Sequence, residues 1–421
     1  MHCAAWARKE VTLTSRERVA KALSFERPDR VPIDLGGMRA SGIAAPAYAA
    51  LQKRLGIRSP IKVLDAMQIL AEVEPAMQQA LHVDVVPLDV DAAAWQLAQV
   101  DQGVRKRLFR GTEVHFPPGT NIAEQPNGDW LLRDRAGEPY ARMPKDGFYF
   151  DFIRPTMAGK IDPSKFRPPQ TVPDEQLEAV AKLARRLHED TDKAVLGWGA
   201  ALSVVGLSAL LADNITQGSL DAWLAMLITE KPTAHEMMGR YVDSVIKRLE
   251  LYHQAVGGRC VAWGMASDDA GTQRSELLSP ELYAEMVKPH YKRLCGWIHA
   301  HTPWKTFLHS CGCVHGYIEH WIEAGVDILN PVQVSAARME PRRLMQEFGG
   351  RIVFWGGGCD TQRVLPLGRP EEVREHVRQN VGAFAAGDGG FVFTQVHNIQ
   401  ANVPAENIEA MLAAAHEFGR C

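Results

Sequence analysis

The sequence lacks the features that mark several large classes of protein. Its 47 Lys and Arg residues nearly balance 50 Asp and Glu residues, and the formal net charge is −3. Without a basic excess, neither a nucleic acid nor an anionic membrane is an expected partner. No apolar run approaches the length of a membrane span, and the first ten residues hold no long apolar stretch. A secretory signal is therefore not expected.

Cysteine is scarce as well, with seven residues among 421. An odd and sparse set of thiols is unlike the disulfide framework of a small secreted protein. Reduced thiols in a cytoplasmic enzyme are the expectation. A chain of this length can bury a full core, either as one large domain or as two to three average ones.

What the sequence does contain is a series of short apolar runs. Most are continuously apolar, as strands buried on both faces of a parallel sheet are. Eight of them occupy residues 30–37, 84–89, 194–199, 260–264, 306–312, 327–333, 351–356 and 390–395. Amphipathic helical patterns, such as 234–252 and 280–301, lie between most of them. Eight strands with helical crossovers predict a single (β/α)8 barrel of the TIM type, whereas a doubly wound open sheet would not predict eight.

Two stretches depart from this alternation. Residues 14–17 have the form of a capping box and predict a helical extension before the first strand. Residues 111–152 combine short apolar runs with turn signals such as Asn127-Gly128, which predicts β-hairpins inserted after the second strand. The insertion would be either a wall or lid beside the barrel mouth or an excursion with no catalytic part. The whole chain, 1–421, is predicted to be one barrel domain that contains it.

The fifth apolar run leads into the sequence His309-Ser-Cys311-Gly-Cys313. Residues i and i+2 of an extended segment point to the same side, so His309 and Cys311 can converge on one ion. An imidazole with a soft thiolate suits zinc. Further ligands must come from other strand ends, where the active sites of such barrels lie. His397 and Cys359 follow other predicted strands, and Cys313 is left open as an additional ligand.

Other polar residues at the predicted strand ends are candidates for catalysis or substrate contact. Asp268 and Asp269 could transfer protons, contact the substrate or cap a helix, and Asn330 and Gln333 follow the next strand. The glycine-rich turn at 356–358 could cradle a phosphate through its backbone N–H groups. It does not match a P-loop, and no G-x-G-x-x-G follows a strand, so nucleotide binding is poorly supported.

Several motifs together resemble the uroporphyrinogen decarboxylase superfamily, and within it the zinc-dependent, corrinoid-linked methyltransferases. They are Ser15-Arg-Glu-Arg-Val-Ala-Lys-Ala-Leu23, Pro28-Asp-Arg-Val-Pro32, Asp268-Asp-Ala-Gly-Thr-Gln273, Ser279-Pro-Glu-Leu-Tyr283, His309-Ser-Cys-Gly312, Ala324-Gly-Val-Asp-Ile-Leu-Asn-Pro-Val-Gln333 and Val403-Pro-Ala-Glu-Asn-Ile408. They extend over nearly the whole chain, and the resemblance implies a single barrel.

Two departures from the superfamily pattern bear on function. Its decarboxylases carry an arginine-rich segment after the first strand that binds the substrate's carboxylates. Residues 35–42 here contain a single arginine, Arg39. Porphyrinogen decarboxylation is therefore not expected. Its methyltransferases pair His-x-Cys with a later cysteine, and that position is His397 here. Imidazole is still a competent zinc ligand. Cys359 could restore the missing thiolate.

The resemblance implies a zinc-dependent methyltransferase with His309, Cys311, His397 and Cys359 as the predicted ligands. It would move a methyl group between a small methylated substrate, or a thiol or oxygen acceptor, and a cobalt corrinoid (cobalamin type). The sequence has no Asp-x-His-x-x-Gly cobalamin signature, so the corrinoid is expected on a partner protein. A homodimer is left open.

Two alternatives remain at this point. One is a metal-free decarboxylase or lyase for a small carboxylated substrate, with Asp34 or Asp89 as the acid group. The other is a non-catalytic protein that binds a corrinoid or its carrier. The methyl donor is not identified, because methoxylated aromatics, methylamines, methyl halides and methylated thiols all fit the sequence.

Overall fold

The computed structural model describes residues 12–100, 103–108, 111–153, 161–205 and 220–420. The described strands are β1 (Val63–Asp65), β2 (Leu70–Ala71), β3 (Val85–Asp89), β4 (Val104–Arg107), β5 (Glu113–Phe116), β6 (Asn121–Glu124), β7 (Trp130–Arg133), β8 (Pro139–Met143), β9 (Asp151–Phe152), β10 (Ala194–Leu202), β11 (Ala262–Ser267), β12 (Lys305–His309), β13 (Ile328–Asn330), β14 (Val353–Trp355) and β15 (Phe391–Val392). Seven of them form one curled sheet in the order β15-β14-β13-β12-β11-β10-β3, and every neighbouring pair is parallel.

The segment around Ile33 joins the two edges of this sheet. Ile33 forms a parallel bridge with Phe393, and the Asp34 N–H donates to the Phe393 carbonyl at 2.8 Å. On its other side, the Asp84 N–H donates to the Ile33 carbonyl at 2.8 Å, just before β3. The segment is shorter than the predicted first strand, since Pro32 has no N–H to contribute to a ladder. It completes the predicted TIM-type barrel.

Helices cover most of the connections between barrel strands. Their bounds are Ser15–Leu23, Ala45–Leu55, Pro75–Ala80, Ala93–Leu97, Asp174–Glu189, Leu220–Thr229, Lys231–Val256, Pro280–Met286, Lys288–His301, His315–Ala324, Pro341–Phe348, Val364–Leu367, Pro370–Phe384 and Ala405–Phe418. Short 3₁₀ helices span Arg39–Ser41, Pro163–Lys165 and Gly257–Arg259. No helix in the described ranges has both the length and the apolar character needed to cross a bilayer.

The predicted N-terminal helix is confirmed, and its capping box is complete. The Thr14 hydroxyl accepts from the Glu17 N–H at 3.2 Å, and the Thr14 N–H donates to the Glu17 carboxylate at 2.9 Å. The helical pattern at 280–301, in contrast, divides into two helices at Val287. Pro289 explains the division, because proline lacks the N–H of a helix interior and disfavours the helical conformation of the residue before it.

The β-rich insertion lies after β3, the second barrel strand, as predicted. It begins at Val104, earlier than the predicted 111, and consists of the antiparallel pair β4–β5 and the four-stranded antiparallel sheet β6-β7-β8-β9. Gly128 adopts a φ of +88° at the Asn-Gly turn between β6 and β7, a conformation that glycine reaches without strain. The small antiparallel pair β1–β2 was not predicted.

The barrel interior is filled with side chains. The Phe307 ring packs edge-on against Trp198 at 6.1 Å and Trp355 at 5.3 Å between ring centroids. Gly264 leaves room for Trp198, since a Cβ there would lie 1.9 Å from the indole. The helix Ser15–Leu23 covers the amino ends of the strands. Its Arg16 N–H donates to the Asp192 carbonyl, just before β10. The carboxyl ends are left as the open face.

Candidate metal centre

Three side chains converge at the carboxyl end of the barrel, namely His309, Cys311 and His397. Their ligand atoms all lie within 4.8 Å of one another, and the Cys311 Sγ is 3.6 Å from the His309 Nε2. Imidazole and thiolate ligands of a tetrahedral zinc ion are about 3.5 Å apart. The three donors therefore fit a zinc ion without large movement.

The barrel framework holds His309 and Cys311 in this arrangement. His309 is the last residue of β12, and its carbonyl accepts from the Asp268 N–H at 2.8 Å. The Ser310 N–H donates to the Asn330 carbonyl at 2.6 Å, which keeps the chain extended past the end of the strand. The predicted convergence of residues i and i+2 is thus present. His397 arrives from the loop after β15, with its ring 5.8 Å from that of His309.

Asn330 orients the His309 ring. Its side-chain Nδ2 donates to the Trp355 carbonyl at 2.7 Å, so its Oδ1 is the acceptor that faces the imidazole. The His309 Nδ1 donates to this Oδ1 at 2.7 Å. The lone pair of His309 Nε2 is consequently directed at Cys311 and His397. Outer-shell hydrogen bonds of this kind set the tautomer of histidine ligands.

Asn330→Ala is expected to weaken zinc binding by roughly 10–100-fold, the usual effect of losing an outer-shell partner. Competition with a chromogenic chelator measures the affinity. Asn380→Ala is the matched control, because Asn380 is also a buried amide and donates to the Gly357 carbonyl at 3.0 Å on a neighbouring loop. Equal zinc affinities in the two variants would contradict the orienting role of Asn330.

The two adjacent aspartates face different surroundings. Asp269 is exposed, its Oδ1 accepts from the Cys311 N–H at 2.9 Å, and the same atom lies 3.7 Å from the His309 Nε2. Asp268 is buried and accepts from the Tyr291 hydroxyl at 2.7 Å. Of the pair, Asp269 is therefore the one beside the three converging side chains.

Burial and charge set the protonation of the candidate ligands. Burial, together with the nearby Asp269 carboxylate, raises the pKa of the Cys311 thiol well above its ordinary value. Burial and the neighbouring His309 lower the pKa of His397, which favours the neutral form that binds metals. The Cys311 thiol loses its proton when it binds a metal cation, as metal-binding thiols do.

The other predicted thiols lie apart from this group. Cys359 is fully buried, is not a member of the converging group, and has its Sγ 3.9 Å from the Asp360 carbonyl. Cys313 is also buried and accepts from the Arg338 guanidinium at 3.4 Å. A ligand role for either one remains a prediction that no contact among the described residues supports.

A cavity of about 410 Å³ opens beside Cys311 and His397. Its other lining residues are Tyr149, Gln273, Gln333, Thr361, Gln362, Pro366, Val396, Asn398, Gln400 and Asn402. Gln333 also accepts from the Gly312 N–H at 2.8 Å, so it holds the loop that carries Cys311. The β-rich insertion contributes Tyr149 and is therefore a wall of the cavity. Sequence patterns did not single out Tyr149, because nothing local marks it.

The acid groups of the alternative lyase hypothesis are already engaged. Asp34 is fully buried and accepts from the Trp355 indole at 2.8 Å and the Gly37 N–H at 2.7 Å, and burial raises its pKa to about 6. Asp89 accepts from the Arg39 guanidinium at 3.0 Å. Neither carboxylate is among the described residues that line the 410 Å³ cavity.

Comparison with known proteins agrees with this architecture. The family model of uroporphyrinogen decarboxylase (URO-D) matches residues 151–418, which is more than half of the chain. The solved structure of a methyltransferase from Methanosarcina mazei covers 96% of this chain and 99% of its own, with a TM-score of 0.57 and 16% sequence identity. At that identity the likeness shows a shared fold. No curated protein matches the sequence. The chain belongs to the uroporphyrinogen decarboxylase family.

Proposed function

We propose that this protein is a methyltransferase that moves a methyl group between a small methylated substrate and a cobalt corrinoid, with a zinc ion held by His309, Cys311 and His397. The observation that carries the proposal is the convergence of these donors at the carboxyl end of the barrel, with the His309 tautomer set by Asn330. The likeness in fold to a methyltransferase supports the same choice.

The donor set suits a catalytic zinc ion. Two imidazoles and one thiolate would hold the ion and leave it room for one further ligand, as in catalytic zinc sites. Zinc, when bound, acts as a Lewis acid on the heteroatom that carries or accepts the methyl group. The cavity beside Cys311 and His397 gives a substrate access to that position.

The protein's own residues would position the substrate and supply a proton. In demethylation, the bond between the methyl carbon and the heteroatom breaks, and its electron pair stays on the heteroatom. A reduced corrinoid would supply the electron pair that accepts the methyl group, and the heteroatom would gain one proton. Asp269 is assigned the relay of this proton from solvent, because its carboxylate is exposed and next to the site.

The ion pairs that Arg39 already makes disfavour decarboxylation of a porphyrinogen. This guanidinium lies 3.0 Å from Asp89 and 3.5 Å from Asp65. An arginine paired with carboxylates of its own chain has little charge left for those of a substrate.

The proposed reaction takes place in the cytoplasm, with the corrinoid on a separate protein and with either a monomer or a homodimer as the active unit.

Incubation of the zinc-loaded protein with cob(I)alamin and a panel of methylated compounds tests the proposal. Formation of methylcobalamin, followed by its absorption spectrum and dependent on both protein and zinc, is the expected result. Protein prepared without chelator that contains no metal, and that releases carbon dioxide from small carboxylic acids, would replace the proposal with the lyase hypothesis. Tight binding of cobalamin without turnover would favour a corrinoid-binding protein instead.

A further inference from the structure

The lining of the 410 Å³ cavity is dominated by carboxamides. Gln273, Gln333, Gln362, Asn398, Gln400 and Asn402 all contribute to it. Each carboxamide offers both hydrogen-bond donors and an acceptor, so it can bind a hydroxyl, an ether or a carbonyl oxygen. Gln333 and Asn398 are only 5% and 2% exposed, so buried side chains of the lining are polar as well. The Thr361 and Tyr149 side chains add hydroxyl groups.

No Asp, Glu, Lys or Arg is among the described residues that line the cavity. A bound carboxylate or sulfonate would be desolvated there without the guanidinium or ammonium that such groups usually pair with. A methylammonium group is usually held by several aromatic faces, and Tyr149 is the one Phe, Tyr or Trp residue in the described lining. Burial of an unpaired charge is strongly unfavourable.

With a zinc ion bound, the metal site would bring no net formal charge to the cavity. A divalent zinc ion, one thiolate at Cys311 and the Asp269 carboxylate sum to a formal charge of zero. Asp269 is close enough to count, since its Oδ1 is 3.7 Å from the His309 Nε2. The site beside the cavity would then offer no excess charge to a charged substrate.

Hydrogen bonds within the lining hold one wall in place. The Tyr149 hydroxyl donates to the Asn398 Oδ1 at 3.3 Å, and the Gln400 amide donates to the Tyr149 oxygen. Asn398 in turn donates to Gln68. The insertion is tied to the same region, because the Phe150 N–H donates to the Met67 carbonyl at 2.8 Å. The carboxamides of this wall are thus pre-organised rather than loose surface groups.

We propose that the methylated substrate is an uncharged methyl ether that carries several further hydroxyl or carbonyl oxygens. This inference deepens the methyltransferase assignment and rests on it. The carboxamides bind the oxygens of the substrate through the donors and acceptors that the lining does not use itself, and the absence of a counter-ion in the described lining discriminates against carboxylated and ammonium analogues. Substrate class is thereby set by the wall of the cavity rather than by the metal ligands.

Three ligands of nearly equal size separate charge from shape: methyl glucoside, methyl glucuronide and methyl 6-amino-6-deoxyglucoside. Isothermal titration of the zinc-loaded full chain with each gives its dissociation constant without any need for turnover. The neutral glycoside is expected to bind at least about tenfold more tightly than either charged analogue, since a buried unpaired charge is disfavoured. The neutral but hydroxyl-poor 4-methoxybenzyl alcohol is expected to bind more weakly than the glycoside.

Two variants of Gln362 test whether the lack of charge in the lining causes the preference. Gln362 is exposed, so Gln362→Lys and Gln362→Glu should both fold. The lysine variant is expected to bind the glucuronide about fivefold more tightly than the wild type does, the usual size of an exposed ion pair, and the glutamate variant should not.

Failure of this inference and failure of the proposed function give different results. A charged analogue that binds as tightly as the neutral glycoside, or no binding by the neutral ligand, would overturn the substrate class. Neutral binding with the expected preference but no methylcobalamin from any bound ether would keep the substrate class and remove the methyltransferase assignment.

Discussion

Replacing Cys311 by alanine is expected to remove bound zinc and, with it, methyl transfer. Cys311 provides the single thiolate of the converging group, and its Sγ lies 3.6 Å from the His309 Nε2. Two neutral imidazoles alone would bind zinc far more weakly, so the loss should exceed the roughly 10–100-fold effect of an outer-shell change. Metal content by plasma mass spectrometry measures it, with about one zinc ion per chain expected in the wild type and none in Cys311→Ala. His309→Ala should behave in the same way.

Cys295→Ala is the matched control for this experiment. Its thiol is buried, whereas Cys311 is partly exposed, and it lies on the helix Lys288–His301, outside the converging group. It should keep its zinc. Cys359→Ala then tests whether the site has three or four protein ligands. Loss of zinc would establish Cys359 as the predicted fourth ligand, and retention would limit the site to three residues. Full zinc content and full activity in Cys311→Ala would contradict the proposed site.

Asp84→Ala is expected to lower the free energy of unfolding by about 3–5 kcal/mol, the effect of breaking a buried ion pair. The Asp84 carboxylate is completely buried and accepts from Arg18 at 2.8 Å and from Arg30 at 2.7 Å. It also accepts from the Ile33 N–H at 2.8 Å. Without it, the Arg18 guanidinium keeps its second partner, Asp29, but the Arg30 guanidinium and the Ile33 N–H lose the carboxylate they share where the barrel closes. The midpoint of urea denaturation, followed by tryptophan fluorescence, reports the change.

An exposed ion pair provides the comparison for Asp84. Arg351 donates to Glu319 at 2.9 Å, and both side chains are nearly half exposed, so Glu319→Ala should change the free energy of unfolding by less than about 1 kcal/mol. A similar denaturation midpoint for the two variants would show that Asp84 is not critical to closure of the barrel. Asp84→Asn preserves the shape but not the charge, and it should lie closer to Asp84→Ala than to the wild type.

Most of the fold followed from local patterns. A strand of a parallel barrel is buried on both faces and is therefore continuously apolar, which made the eight runs recognisable. Thr14 and Glu17 marked the first helix correctly because a capping box involves only neighbouring residues. The division of the helix at Val287 was missed although Pro289 signalled it. The shortness of the first strand was also missed, since pairing depends on distant partners such as Phe393.

The candidate site was predictable only in part. His309 and Cys311 are two residues apart on one strand, so their convergence needs no tertiary information. His397 was a candidate because it follows another predicted strand, the family resemblance supported it, and the structure places it beside the other two. Asn330 was predicted as a catalytic residue; its side chain contacts His309 and is not among the described residues that line the cavity, and its catalytic role stays a prediction.

By itself, the sequence determined the alternation of barrel strands with helices and the spacing of the His-x-Cys pair, because both depend on only a few neighbouring residues. Only the tertiary structure decided which side chains from separate loops surround that pair. Tyr149 and Asn398 are 249 residues apart and share a hydrogen bond, a contact that no local pattern encodes. Closure of the barrel brings the carboxyl ends of all strands to one face. Residues distant in sequence therefore meet there, and they set the character of the cavity.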